Sequence, residues 1–202
     1  HADTMAQARS FSEVAGILDA GKVAAILTVE NAACLDDGLE VVEEFSQDGV
    51  LIAGITWNGV NVLGSGNQSY QGLTELGRTY VAELERRGIV VDVSHLNDTG
   101  FWEVEELATR PYIATHSNAR AVCEVARNLS DDMFRALAAR GGIVGLNFNQ
   151  GFVHPFDDNP VLRLTFGNGP EFELVQLLLG CYRSDIDRID EQILDDREIP
   201  DE

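Results

Sequence analysis

Two histidines, His95 and His116, each follow an apolar run, and one strand–helix–strand unit separates them. A lone histidine is most often structural, but two at equivalent strand tips point into the same rim of a sheet. Glu30 closes a third apolar run, Val23 to Val29. A carboxylate there is costly to desolvate unless it is paired or bound to a metal. Imidazole and carboxylate donors together suit zinc, with iron and manganese also compatible. A His-x-Asp pair, His1 and Asp3, opens the chain and on its own assigns nothing. The fourth histidine, His154, stands beside Pro155 and reads as a solvated loop residue.

Those side chains need elements to hold them. Val23–Val29, Val50–Thr56, the run GIVVDVSH, the run YIATHS and the run IVGLNFN read as strands. Their largely continuous apolar character predicts a parallel sheet buried on both faces. Helices are expected between them. One opens at Asp36 and Asp37 and runs to about Gln47; one is capped by Thr74 and stops at Gly88; one covers residues 98 to 108; one is capped by Ser130 and ends at Gly141–Gly142. The polar stretch from Asn58 to Gly72 reads as a loop outside the core. Residues 1–3 read as the tip of a further strand, and the chain before Val23 as too short for a second full strand–helix unit.

Polar and metal-capable residues follow every apolar run, the pattern of a (β/α)8 barrel with its active site at the strand C-termini. A doubly wound sheet would show a Gly-rich phosphate turn after its first strand, and none is present. The expected fold is therefore α/β, a TIM-barrel-like scaffold, incomplete or remodelled. Residues 1–150 form the shortened barrel-like domain, 151–170 a loop, and 171–202 an acidic helical segment.

The chain has 202 residues and a formal charge of −20, with 34 acidic against 14 basic residues. So much negative charge repels phosphate backbones and anionic membranes, so nucleic acid and membrane are excluded as expected partners. No apolar run approaches the roughly 20 residues of a membrane helix. Cys34, Cys123 and Cys181 are odd in number and widely spaced, which predicts buried thiols and a reducing, cytoplasmic location.

The segments AAILTVENAA, GITWNGVN, GLTELGRTYVAELERRGIVVDVSHLND, YIATHSNARAVCEVARNLSDDM and GGIVGLNFN carry a resemblance. From about Lys22 to Phe152 the chain resembles the renal (membrane) dipeptidase family of zinc peptidases, especially its bacterial branch. The opening HADT is similar to that family's first-strand His-x-Asp motif. The resemblance implies two zinc ions at the C-terminal mouth of the barrel: His1 and Asp3 on the first, Glu30 bridging, His95 and His116 on the second. It implies hydrolysis of dipeptides, often with a D-residue at the C-terminal position, by a hydroxide bridging the ions. Glu30 and Arg127 become the expected catalytic residues. Arg127, in CEVARN, matches the arginine whose guanidinium fork holds the substrate carboxylate. Trp57 and Asn58 join it as expected substrate-binding residues, with Trp57 standing where animal enzymes carry a histidine.

Two departures keep alternatives open. The family's GSDFDG-like last-strand motif has no match, and Asp157 and Asp158 stand in a different context. The segment between the His-x-Asp pair and Glu30 is shortened. A non-catalytic metal- or peptide-binding relative and another amidohydrolase-like metal hydrolase therefore remain as readings. A barrel lacking strands would expose edges that invite a second copy, so a homo-oligomer is a further expectation.

Overall fold

The computed structural model describes residues 2–35 and 38–153. All its strand ladders are parallel. β1 (Met5–Ala8) pairs with β2 (Val23–Ile26), and β3 (Thr28–Val29), β4 (Ile52–Gly54) and β5 (Val90–Asp92) pair in that order. Parallel bridges Asp92↔Ile113 and Ala114↔Val144 continue the series. Only Leu27 separates β2 from β3, and its carbonyl accepts from Leu51 N–H at 3.0 Å. The strands thus succeed one another in space in chain order. A barrel winds this way, whereas a doubly wound sheet reverses at a switch point. The α/β class is as expected; the described residues form an arc, and closure into a barrel is not among them.

The helices follow local signals. Thr74 caps α3 (Glu75–Arg87) by accepting from Gly77 N–H at 3.0 Å, and Gly88 ends it at φ +75°. Asn97 caps α4 (Asp98–Leu107) through Gly100 N–H at 2.8 Å, and Ser130 caps α5 (Asp131–Ala139) through Met133 N–H. Tyr80, Val81 and Leu84 on one face of α3 pack with Ile55, Val91, Phe101 and Tyr112 in a single buried cluster. That core lies directly beneath the strand tips. Among the described residues no helix is long and apolar enough to cross a membrane.

Four expectations are corrected. The strand whose tip was expected at residues 1–3 lies at Met5–Ala8, as β1, and is followed by the short helix α1 (Phe11–Asp19). The segment Met5–Ala8 has no β-branched residue and so gives no propensity signal; hydrogen bonding to β2 makes it a strand. The helix expected from Asp36–Asp37 begins at Val41, after a 3-10 turn at Ala33–Leu35, and runs to Asp48 as α2. The polar loop is not all peripheral: Leu63, Gly64, Ser65 and Gly66 are buried over the strand tips. Asn61 makes this affordable, its Oδ1 accepting from Leu63 N–H and Gly64 N–H at 2.8 and 3.1 Å. Of the cysteines, Cys123 is buried but Cys34 is exposed, and Cys181 lies outside the described residues. So do the acidic segment 171–202 and residues 154–170 of the expected loop 151–170, whose first three residues lie instead in a short helix, Gln150–Val153.

Gly77 marks the closest approach of helix and loop, since a Cβ there would sit 1.9 Å from the Leu63 carbonyl oxygen. Gly77→Ala is expected to lower stability by about 2–3 kcal/mol through overpacking. Gly88→Ala, which meets no neighbour within 4 Å but keeps a positive φ, should cost only about 1 kcal/mol. Urea denaturation midpoints of the two variants check the order.

Candidate metal centre

Parallel strands put their C-terminal ends on one rim, so Glu30 after β3, His95 after β5 and His116 after the Ile113–Ala114 segment converge there. Their candidate ligand atoms all lie within 4.8 Å of one another. His95 Nε2 is 2.8 Å from Glu30 Oε1 and 2.8 Å from His116 Nε2, and His116 Nε2 is 3.2 Å from the same Oε1. Reaching this point bends the backbone. His95 sits at φ 74° and Asn31, next to Glu30, at φ 60°. These are the two non-glycine residues in the left-handed region among those described, and such a position costs on the order of 1 kcal/mol.

The partners on the far side of each ring decide which nitrogen carries the proton. His95 Nδ1 lies 2.9 Å from Asn58 Oδ1, an acceptor, so Nδ1–H donates and Nε2 is left with its lone pair. Asn67 Nδ2 donates to the same Oδ1 at 3.0 Å, which fixes the amide orientation. His116 Nδ1 lies 2.7 Å from Thr115 Oγ1. The Thr115 hydroxyl proton goes to the Asp92 carboxylate, so Oγ1 accepts from Nδ1–H and the second Nε2 is also a bare lone pair. The Nε2 atoms of both rings and the Glu30 carboxylate oxygen thus face one another as candidate ligand atoms.

A bound cation would hold these three groups together. Protonating His95 is unfavourable because burial pushes its imidazole down to about 4, outweighing the opposite pull of Glu30. Burial by itself raises Glu30, but contacts with His116 and His95 outweigh it and hold the carboxyl well below its ordinary value. The neutral ring and charged carboxylate are the protonation states that ligate a metal. Two imidazole nitrogens and one carboxylate oxygen match a three-ligand zinc set with an open position.

Of the other expected ligands, Asp3 is described and is not in this group. Asp3 is exposed, and the parallel register Met5↔Val23 places it beside the start of β2, where Lys22 Nζ bonds Ala2 O at 2.8 Å. From Val23 to Glu30 the chain, at roughly 3.3 Å per residue, runs about 20 Å, so Asp3 stands at the opposite rim. His1 itself lies outside the described residues, as do His154, Asp157 and Asp158.

Arg127 is buried beside the group. Its Nη2 donates to His116 O at 2.9 Å and its Nη1 to Ser117 Oγ at 3.0 Å, while the buried Nε has no partner. Burial pushes the guanidinium down to about 10, so it is still cationic at neutral pH. Trp57 is partly exposed, its ring centroid 6.2 Å from that of His95. The Asn58 side chain meets His95. Sequence reasoning passed over Asp92 and Thr115. A charged residue inside the apolar run GIVVDVSH was the available signal, because a buried carboxylate must find donors.

A model of the family described as membrane dipeptidase (peptidase family M19) matches residues 1–187. An uncharacterized protein of the pqqA 5′ region in Klebsiella pneumoniae is 37% identical over 139 residues, 65% of this chain and 51% of its own length. Dipeptidase 3 of Homo sapiens is 32% identical over 144 residues, 67% of this chain and 30% of its own. A solved metallo peptidase from Rhodobacter sphaeroides, liganded with a phosphinate mimic of the dipeptide L-Ala-D-Ala, aligns with a TM-score of 0.72. It shares 32% identity, over 87% of this chain and 52% of its own. The chain spans about half, or less, of the relatives it matches.

The lowered His95 value sets a direction for stability against pH. As pH falls through 6.5 the unfolded chain takes up a proton before the folded one does, so folding weakens. The loss should build between pH 6.5 and about 4 and then level off, reaching on the order of 3 kcal/mol from this residue. Glu30 adds a further loss below its ordinary 4.5. Urea midpoints of the metal-stripped chain across this range check it, and His95→Gln should flatten the upper part of the curve.

Proposed function

The chain belongs to the membrane dipeptidase family, peptidase family M19, and on that ground we propose that it hydrolyses dipeptides with zinc held by Glu30, His95 and His116. The observation that carries the reading is the convergence of three candidate ligand atoms within 4.8 Å of one another, with each ring held from its Nδ1 side. When bound, such an ion lowers the pKa of coordinated water towards neutrality and polarises the scissile carbonyl.

The chain's own residues supply the rest. Asn58 and Thr115 hold the two imidazoles with their Nε2 atoms turned inward. Arg127 offers a buried positive charge beside His116, and we assign it the substrate's terminal carboxylate. A guanidinium paired with a carboxylate fixes one end of a short substrate, which converts binding into orientation at the reacting carbonyl. Trp57 forms the exposed aromatic wall next to His95 and is the proposed contact for a substrate side chain. The dipeptide mimic bound by the Rhodobacter sphaeroides relative supports a small dipeptide substrate with a D-residue at its C-terminal position.

Among the described residues Glu30, His95 and His116 form one three-ligand group, and this is the zinc site we propose. The distance of Asp3 from this group favours a second reading, a metal-binding relative without turnover. Elemental analysis of the purified chain should find at least one zinc, and hydrolysis of L-Ala-D-Ala should be lost to a chelator and restored by zinc. Arg127→Met is expected to lower kcat/KM about 100-fold, mainly through KM, by removing a charge-assisted pair. Zinc binding without turnover on any dipeptide would establish the second reading.

A further inference from the structure

Asp92 ends β5 and is buried, and its side chain reaches both its own strand's continuation and the neighbouring strand tip. Its Oδ1 accepts from Ser94 N–H at 2.9 Å and from Thr115 N–H at 3.0 Å, and its Oδ2 accepts from the Thr115 hydroxyl. A carboxylate offers only acceptors, so the single hydroxyl proton of Thr115 is committed to it. Thr115 Oγ1 then faces His116 Nδ1 at 2.7 Å as an acceptor. Ser94 Oγ holds the same histidine's backbone N–H at 3.1 Å. The ring is pinned from both its backbone and its Nδ1 edge. Its counterpart His95 is set by a different device, the Asn58 amide.

We propose that Asp92 and Thr115 are positioning residues: through a carboxylate–hydroxyl–imidazole relay they hold His116 in its Nδ1–H tautomer and thereby raise the metal affinity of the rim. The proposal rests on the metal-centre reading above. The relay differs from a simple cross-strand tie, because the backbone bond from Thr115 N–H to Asp92 serves that purpose without the hydroxyl. Thr115→Val keeps the backbone bond and the β-branched shape but removes the oxygen that His116 Nδ1 needs. Thr115→Ser keeps the oxygen.

The test uses the full chain. Nitrogen-15 correlation spectra of the metal-free protein report the His116 tautomer, and competition with a chromophoric chelator reports zinc affinity. The wild type and Thr115→Ser should show an Nδ1–H ring and similar affinity. Thr115→Val should shift the ring towards Nε2–H and weaken zinc binding by about 10–100-fold. Unchanged affinity and tautomer in Thr115→Val would overturn the relay while leaving the metal centre intact. An Nε2–H ring at His116 in the wild type overturns it too, whether or not the valine variant folds. A wild-type chain that binds no zinc at all overturns the metal-centre reading itself, and the affinity claim with it.

Discussion

Two imidazole nitrogens and a carboxylate oxygen, all presented as lone pairs, repel one another unless a positive charge sits between them. The rim of this protein is organised around that constraint. Burial keeps His95 neutral, and Glu30 stays ionised, so a proton is a poor occupant. Such an arrangement survives folding only if the partners behind each ring are more tightly specified than the cluster itself. Asn58 behind His95 and the Thr115–Asp92 pair behind His116 meet that requirement.

The scaffold accounts for where these groups stand. Parallel pairing from β3 through β5 to the Ile113 and Val144 bridges brings successive strand ends to one side. The buried cluster around Tyr80, Val91, Phe101 and Tyr112 supports them from below. The loop after β4 closes over the rim: Gly66 bridges Leu96, and Asn97 Nδ2 donates to Ser69 O and Gln71 O at 2.9 and 2.6 Å. A polar loop can be buried there because its own asparagines satisfy its backbone, which is the general condition for burying irregular chain. The left-handed backbone at His95 is sustained by that enclosure and aims the ring across the rim.

Much of this was legible in the residues. Thr74, Ser130 and Gly88 act through bonds within a few residues of themselves, so their roles as caps and stop are local facts. Glu30, His95 and His116 were recognisable because each ends an apolar run, and parallel strands must bring such ends together. The first strand was not recognisable. Met5–Ala8 lacks β propensity, and its identity as a strand comes from pairing with Val23–Ile26. Asn58 looked like a substrate contact, because its engagement with His95 spans 37 positions of chain and leaves no local trace.

The alternation of elements, the helix boundaries that depend on caps, and the three residue types that meet at the rim can be read from the residues alone. These follow from periodicity and short-range hydrogen bonding, which any segment carries with it. Which end of a strand faces the site is set by how the strands pair. Asp3 reads like a ligand, but the register of β1 against β2 sends it to the other rim, because parallel neighbours must align start with start. The ring tautomers belong to the same class. A proton on Nδ1 or Nε2 is a choice made by the group opposite, and those groups arrive from distant parts of the chain once the strands are side by side.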